Sequence, residues 1–266
     1  MALQIVSDLH LEAPKAYDFF SIIPHAPHLA LLGDIGNIVT HKADMLEFLT
    51  HQLKQFRTVL FIPGNHEPYG SDWPTTLAIL RAFEEDVRGD STLGSFVLLD
   101  RTIFQLPDTD VTILGCSLFS SIPSEQEMAV SVGLNDFFYI ANWEVRAHTA
   151  AHERDVAWLN EQVDALKQTS TKIVILTHWS PSVDDRSTDP KHVASSISCA
   201  YSTDLSSQPC FRSGKVKLWA FGHTHYNCDF EVARGGDAGP LRLVANQRGY
   251  YFAQAVGFDP EKRLEV

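Results

Sequence analysis

Five short polar motifs in this chain carry residue types that hold metal ions: Asp8-Leu9-His10, Gly33-Asp34, Gly64-Asn65-His66-Glu67, Thr177-His178 and Gly222-His223-Thr224-His225. Asp and His are hard-to-borderline donors that suit manganese, iron, zinc or nickel. The motifs offer no thiolate, which disfavours a structural zinc site. The carboxylate of Asp34 has two oxygens and can bridge two ions. Asn65 brings a neutral amide oxygen, better suited to a catalytic site than to a tight structural one. Two ions about 3.5–4 Å apart can hold a hydroxide at neutral pH and stabilise both the attacking and the leaving oxygen of a phosphate.

Each motif follows a strand-like apolar run, at residues 3–7, 28–32, 58–62, 172–177 and 216–221. In an extended segment residues two apart share a side, so Asp8 and His10 can reach one ion. Helical spacing predicts helices over 42–56, 75–87 and 143–167, and a shorter one over 14–23. His148 and His152 lie four apart on the third of these, with no Glu between them in the position a zincin requires, so they read as structural. Alternation of strand, loop and helix indicates an α/β layered domain. Residues 96–99, 102–106 and 111–115 read as a meander at the sheet edge, and 229–232, 241–244 and 250–258 as later strands. Residues 118–142 form a loop or small cap over the site, and 182–213 a mobile loop that holds His192. No repeat or linker divides residues 1–266, which read as a single domain.

The formal net charge is −12 and there is no Lys/Arg-rich run, so a groove for a nucleic-acid polymer is not expected. A small anionic substrate remains compatible, since metal cations supply local positive charge. No apolar run approaches the roughly 18 residues of a membrane span, and the first residues read as a strand and not a signal peptide. The four cysteines include no Cys-x-x-Cys pair, which points to a reduced, cytoplasmic protein; a Cys199–Cys210 bridge is left open. Partners beyond a small phosphoester, and the oligomeric state, are not legible.

Asp8-x-His10, Gly33-Asp34, Gly64-Asn65-His66-Glu67, Thr177-His178 and Gly222-His223-x-His225 together resemble the signature of the calcineurin-like metallophosphoesterase superfamily, over residues 8–225. The resemblance implies a four-layer α/β/β/α sandwich of two mixed sheets, with the site on strand-end loops. It implies two divalent or trivalent ions, one on Asp8, His10, Asp34 and His225, the other on Asp34, Asn65, His178 and His223. His66 would bind the phosphate and assist the leaving group while a metal-bridging hydroxide attacks in line. The implied activity is that of a metal-dependent phosphoesterase, foremost a phosphodiesterase on a small molecule. The alternatives are a nucleotide or protein phosphomonoesterase, or a scaffold that kept the fold without the activity.

One departure stands out. Protein phosphatases of the superfamily carry an Asp followed by Arg three residues after the bridging Asp; here Asn37 is followed by Ile38. A neutral Asn cannot hold the histidine as a cation, so His66 is expected to be a weaker acid. Asn37, His192 and Arg248 are the candidate substrate contacts, Arg248 because a guanidinium suits a phosphate.

Overall fold

Alternate residues of the buried strands feed different cores, and this splits the chain into layers. The structure is a computed structural model and describes residues 2–192 and 195–265. Its first part runs β1 (Ala2–Val6), β2 (His28–Leu31), α1 (Lys42–Leu53), β3 (Thr58–Phe61), α2 (Trp73–Arg88) and β4 (Ser95–Leu98). Then come β5 (Thr102–Gln105), β6 (Val111–Cys116), α3 (Glu127–Gly133), α4 (Asp136–Tyr139), α5 (Val145–Ala165) and β7 (Lys172–Thr177). The chain finishes with α6 (Pro209–Arg212), β8 (Val216–Phe221), β9 (Cys228–Val232), β10 (Leu241–Ala245), β11 (Gly249–Tyr250), β12 (Ala253–Gln254) and β13 (Arg263–Glu265).

Among the described residues one sheet has the order β13-β1-β2-β3-β4 and the other β5-β6-β7-β8-β10-β9. Leu3, Ile5, Ala30 and Leu60 of the first sheet meet Ile113, Val174, Leu176 and Ala220 of the second in a dry middle layer. The opposite faces, Val59 and Phe61 or Ile175 and Trp219, pack outward with the buried faces of α1 and α2 or of α5. Fully burying one such aliphatic side chain contributes about 1.5–3 kcal/mol. The result is the expected four-layer α/β/β/α sandwich of mixed sheets. Asp72 starts α2 by accepting from the Thr75 N–H at 2.7 Å, with Pro74 in the first turn, where a missing N–H costs nothing.

Several expectations need correction. Residues 14–23 form turns instead of a helix, because Tyr17, Phe20 and Ile22 fold back onto the first core and Pro24 and Pro27 end the segment. The meander does not exist as such: β4 pairs parallel with β3 after α2, whereas β5 and β6 form a hairpin that opens the second sheet. The 250–258 strand is a two-stranded ribbon of β11 and β12, and β13 pairs antiparallel with β1. The 118–142 excursion holds α3 and α4. Short helical turns at Pro190–His192 and Ser198–Ala200, with α6, punctuate 182–213, whose residues 193–194 lie outside the described ones. All four cysteines are free, and among the described residues no helix is long and apolar enough to cross a membrane.

Two buried groups set the stability of this frame. The Glu67 carboxylate accepts from the backbone N–H groups of Gly64 (2.6 Å), Ile35 (2.8 Å), Asp34 (3.0 Å) and Gly36 (3.4 Å), tying the loop after β2 to the loop after β3. His148 is fully buried on α5, its Nε2 accepting from the Ser120 N–H at 3.0 Å, and burial pushes its pKa down to about 3. His152 meanwhile donates from Nδ1 to the Leu118 carbonyl at 2.9 Å, so both histidines hold the start of the 118–142 excursion.

Glu67→Ala leaves four buried N–H groups without an acceptor, at roughly 1–3 kcal/mol each before relaxation. Urea unfolding should show a loss of at least about 3 kcal/mol, and an unchanged midpoint would remove this role. For His148 the unfolded chain takes up a proton below the ordinary value of 6.5 and the folded chain does not until about 3, so stability falls as pH falls through that window. Between about pH 7.5 and about pH 5 this one group should remove about 2 kcal/mol. Urea titrations with chelator present should show a correspondingly smaller pH drop for His148→Gln.

Candidate metal centre

The parallel strands β1, β2 and β3 of one sheet and β7 and β8 of the other all end at the same edge of the sandwich, the edge where open α/β sheets place their sites. Backbone bonds join the sheets there: Ser7 N–H donates to Asn246 O (3.1 Å), Arg248 N–H to Ser7 O (3.0 Å) and Gly249 N–H to Asp8 O (3.0 Å). Five side chains of the motifs turn inward from left-handed backbone, with φ of 53° at Asp8, 47° at His10, 54° at Asp34, 69° at His223 and 49° at His225. Such conformations cost non-glycine residues about 1–3 kcal/mol each and cluster where geometry serves function. Gly33 is itself left-handed, at φ 89°, and a Cβ there would strike the His178 ring.

The structure brings all seven expected ligands together. Asp8, His10 and His225 form one cluster, with Asp8 Oδ1 3.3 Å from His225 Nε2 and His10 Nε2 2.9 Å from His225 Nε2. Asp34, His178 and His223 form another. Asp34 stands between them: its Oδ1 is 3.5 Å from His178 Nε2 and its Oδ2 3.9 Å from His10 Nε2. Asn65 Oδ1 is 3.2 Å from His178 Nε2. The Nε2 atoms of His10 and His225 face each other at 2.9 Å, and buried His223 Nε2 has no protein partner among the described residues. One orphaned imidazole nitrogen and two facing imidazoles beside two buried carboxylates fit a pair of cations, and neutral imidazole with carboxylate suits manganese, iron, zinc or nickel.

Burial raises the pKa of Asp34, but His178 and His66 outweigh it and hold the carboxyl well below its usual range. Burial likewise pushes His178 and His66 down, and the Asp34 charge brings each up to about 9. His223, buried beside the His178 charge, lies well below the ordinary imidazole value. His66 Nε2 lies 3.9 Å from Asp34 Oδ2, next to the candidate ligands, with the Tyr250 hydroxyl 3.3 Å away as its hydrogen-bond partner. Three tyrosines lie over the rings: Tyr250 on His10 at 4.2 Å between centroids, Tyr69 on His66 at 4.3 Å and Tyr201 on His223 at 5.1 Å. The centre opens into a cavity of about 1160 Å³, with His192 and Asp136 in its walls.

The weaker expectations fare differently. His192 lines the cavity, but Asn37 turns away and donates from Nδ2 to the His66 carbonyl oxygen at 2.7 Å. Arg248 donates to the Leu9 carbonyl oxygen at 3.0 Å and lies 4.8 Å from the Phe20 ring centroid, so its guanidinium holds a loop and does not face the cavity. His66 does have a carboxylate: Glu12 accepts from its Nδ1 at 2.7 Å, which corrects the expectation drawn from Asn37. Asp136 on α4 accepts from Asn65 Nδ2 at 2.8 Å, leaving the amide oxygen toward His178, and Gln247 Oε1 accepts from the His225 N–H at 2.5 Å. Glu12, Asp136 and Gln247 stand outside the motifs; only Glu12, two residues past His10, had a positional clue in the sequence.

The sequence profile of the calcineurin-like phosphoesterase family matches residues 1–227. An uncharacterized protein of Acanthamoeba polyphaga mimivirus is 27% identical over 288 residues, covering 99% of this chain and 96% of its own. Among solved structures, the phosphopantetheinyl hydrolase of Mycobacterium tuberculosis superposes with a TM-score of 0.65 at 16% identity, over 94% of this chain and 89% of that one. A dimetal phosphatase from Danio rerio gives 0.54 at 15% identity, over 98% and 89%. These structures share the fold. With the motif order, the strand-end ligands and a profile match over most of its length, the chain belongs to the calcineurin-like phosphoesterase family.

Proposed function

We propose that the protein hydrolyses a small phosphodiester with two metal ions bound between its sheets. The observation that carries the reading is Asp34, whose two oxygens face different ligand clusters while His66 Nε2 stands 3.9 Å from one of them at the cavity floor. Asp8, His10, Asp34 and His225 would hold one ion, and Asp34, Asn65, His178 and His223 the other. The ions, when bound, supply Lewis acidity and a water of lowered pKa. Asp34 and Asn65 fix the spacing between the two subsites, and His66 Nε2 delivers a proton to the departing oxygen.

Charge favours a diester over a monoester. Among the described residues the only Lys or Arg side chains lining the cavity are Lys191 and Lys262. Each is already paired, with Asp189 at 2.7 Å and Asp229 at 2.6 Å, and Asp136 adds a buried carboxyl. Such a wall suits a monoanionic ester better than a dianion.

Protein loaded in turn with manganese, nickel, zinc or iron should hydrolyse bis(p-nitrophenyl) phosphate faster than p-nitrophenyl phosphate. The reverse order would make it a monoesterase, and no turnover with any metal would sink the enzymatic reading. On diphenyl phosphate, whose leaving group needs a proton, His66→Ala should lower kcat by roughly 10²–10⁴-fold while two ions remain by elemental analysis; unchanged turnover on that ester would remove the acid role. Asp34→Asn should release metal from both subsites, and two tightly held ions in that variant would contradict the bridge.

A further inference from the structure

Glu12 lies in the loop after β1, two residues beyond His10, and its carboxylate meets two imidazoles at once. Oε1 is 2.7 Å from His66 Nδ1 and 3.3 Å from His10 Nδ1. The rings stand edge to face, their centroids 4.4 Å apart at 73°. Their other nitrogens turn to the centre, each Nε2 being 3.9 Å from Asp34 Oδ2. A ring held at Nδ1 has its Nε2 direction set, which is how an outer carboxylate orients a histidine. The Glu12 side chain is only 8% exposed, and among the described residues these two rings are its side-chain hydrogen-bond partners. The motifs themselves supply nothing for this task, since Asn37 binds the His66 backbone.

His10, Glu12 and His66 are also close enough to share an ion of their own. The distances argue otherwise. Ligands on one ion with bonds near 2.1 Å stand roughly 3 Å or more apart, whereas 2.7 Å between Glu12 and His66 is the length of an N–H···O bond to a charged acceptor.

Resting on the phosphoesterase reading, we propose that Glu12 is the positioning residue of the reaction, a single carboxylate oxygen that aims His66 at the leaving group and His10 at its ion. Glu12 touches neither substrate nor reacting atoms and acts through the two rings. Because it serves both, ion binding and leaving-group assistance share one mechanical support. Both rings meet Oε1, while Oε2 has no hydrogen-bond partner among the described residues, so an amide keeps the shared acceptor and only its removal, as in Glu12→Ala, frees both rings.

The test uses full-length protein loaded with manganese and the Glu12→Ala variant. Hydrolysis of diphenyl phosphate, whose leaving group needs a proton, should fall about 10–100-fold in kcat with little change in KM. Hydrolysis of bis(p-nitrophenyl) phosphate, whose leaving group departs as a stable anion, should fall much less, and two ions per chain should remain. Equal loss on both esters would overturn the proposal, as would three ions in the parent chain dropping to two in the variant. A second readout needs no turnover: the parent protein loaded with diamagnetic zinc should show a far-downfield imidazole N–H proton resonance that vanishes in both Glu12→Ala and His66→Asn. Its persistence in Glu12→Ala, or its absence from the zinc-loaded parent, would equally overturn the hold on His66. If the parent hydrolyses neither ester, the phosphoesterase reading fails, and the resonance alone decides whether Glu12 anchors the ring.

Discussion

One carboxylate, that of Glu67, accepts from four backbone N–H groups on two different loops, and the centre is built around that knot. Asp34 and Asn65 stand on the loops it ties, so their separation is set by hydrogen bonds made beneath them. The Asp34 carboxylate then accepts from the His66 N–H at 2.8 Å, adding a tie on the cavity side. Four donors favour the ionised form of Glu67, while burial and the nearby Asp34 charge raise its pKa to about 7. A cation pair beside Asp34 would tip that balance toward the carboxylate, so ion binding and the integrity of this knot reinforce each other.

The same logic explains the left-handed residues. Five candidate ligands sit in backbone conformations that disfavour any side chain, and neighbours hold them there. Asp8 accepts from the His223 N–H at 3.0 Å, and the Ser7 hydroxyl donates to Asp8 with the Leu32 carbonyl oxygen also within 3.1 Å. Gln247 holds the His225 backbone from the end of β10. Ligand loops locked by partners on both sheets need little reorganisation to receive a cation.

What was legible in the sequence was local. Each motif directly follows its strand, so Asp8, Asp34, Asn65, His178 and His223 could be placed from order alone; the hydrophobic runs gave an α/β layered domain, and its two sheets were implied only by the family resemblance. Partners brought by tertiary contact were not legible: Glu12 reaches His66 across 54 residues, Asp136 reaches Asn65 across 71, and Gln247 reaches His225 across 22. Arg248 had the right chemistry for a phosphate, but a carbonyl and an aromatic ring claim its guanidinium. The strand β13 was invisible because only Leu264 of its three residues is buried, too short a pattern to show a period. The turns at 14–23 imitated a helix because their apolar residues pack at similar intervals without a continuous backbone ladder.

Asp8, His10, Asp34 and Asn65 come from the loops of one sheet, and His178, His223 and His225 from the other. In polymer terms the centre is a clasp: the contact between His10 and His225 closes a ring of 215 residues, most of the chain. Closing so long a loop carries a large entropic cost that grows only slowly with length. An ion chelated from both sides would make sheet separation and ion release a single event, since neither sheet alone keeps the full candidate ligand set. The denaturation midpoint would then follow the free metal concentration, as for any ligand that binds only the folded state.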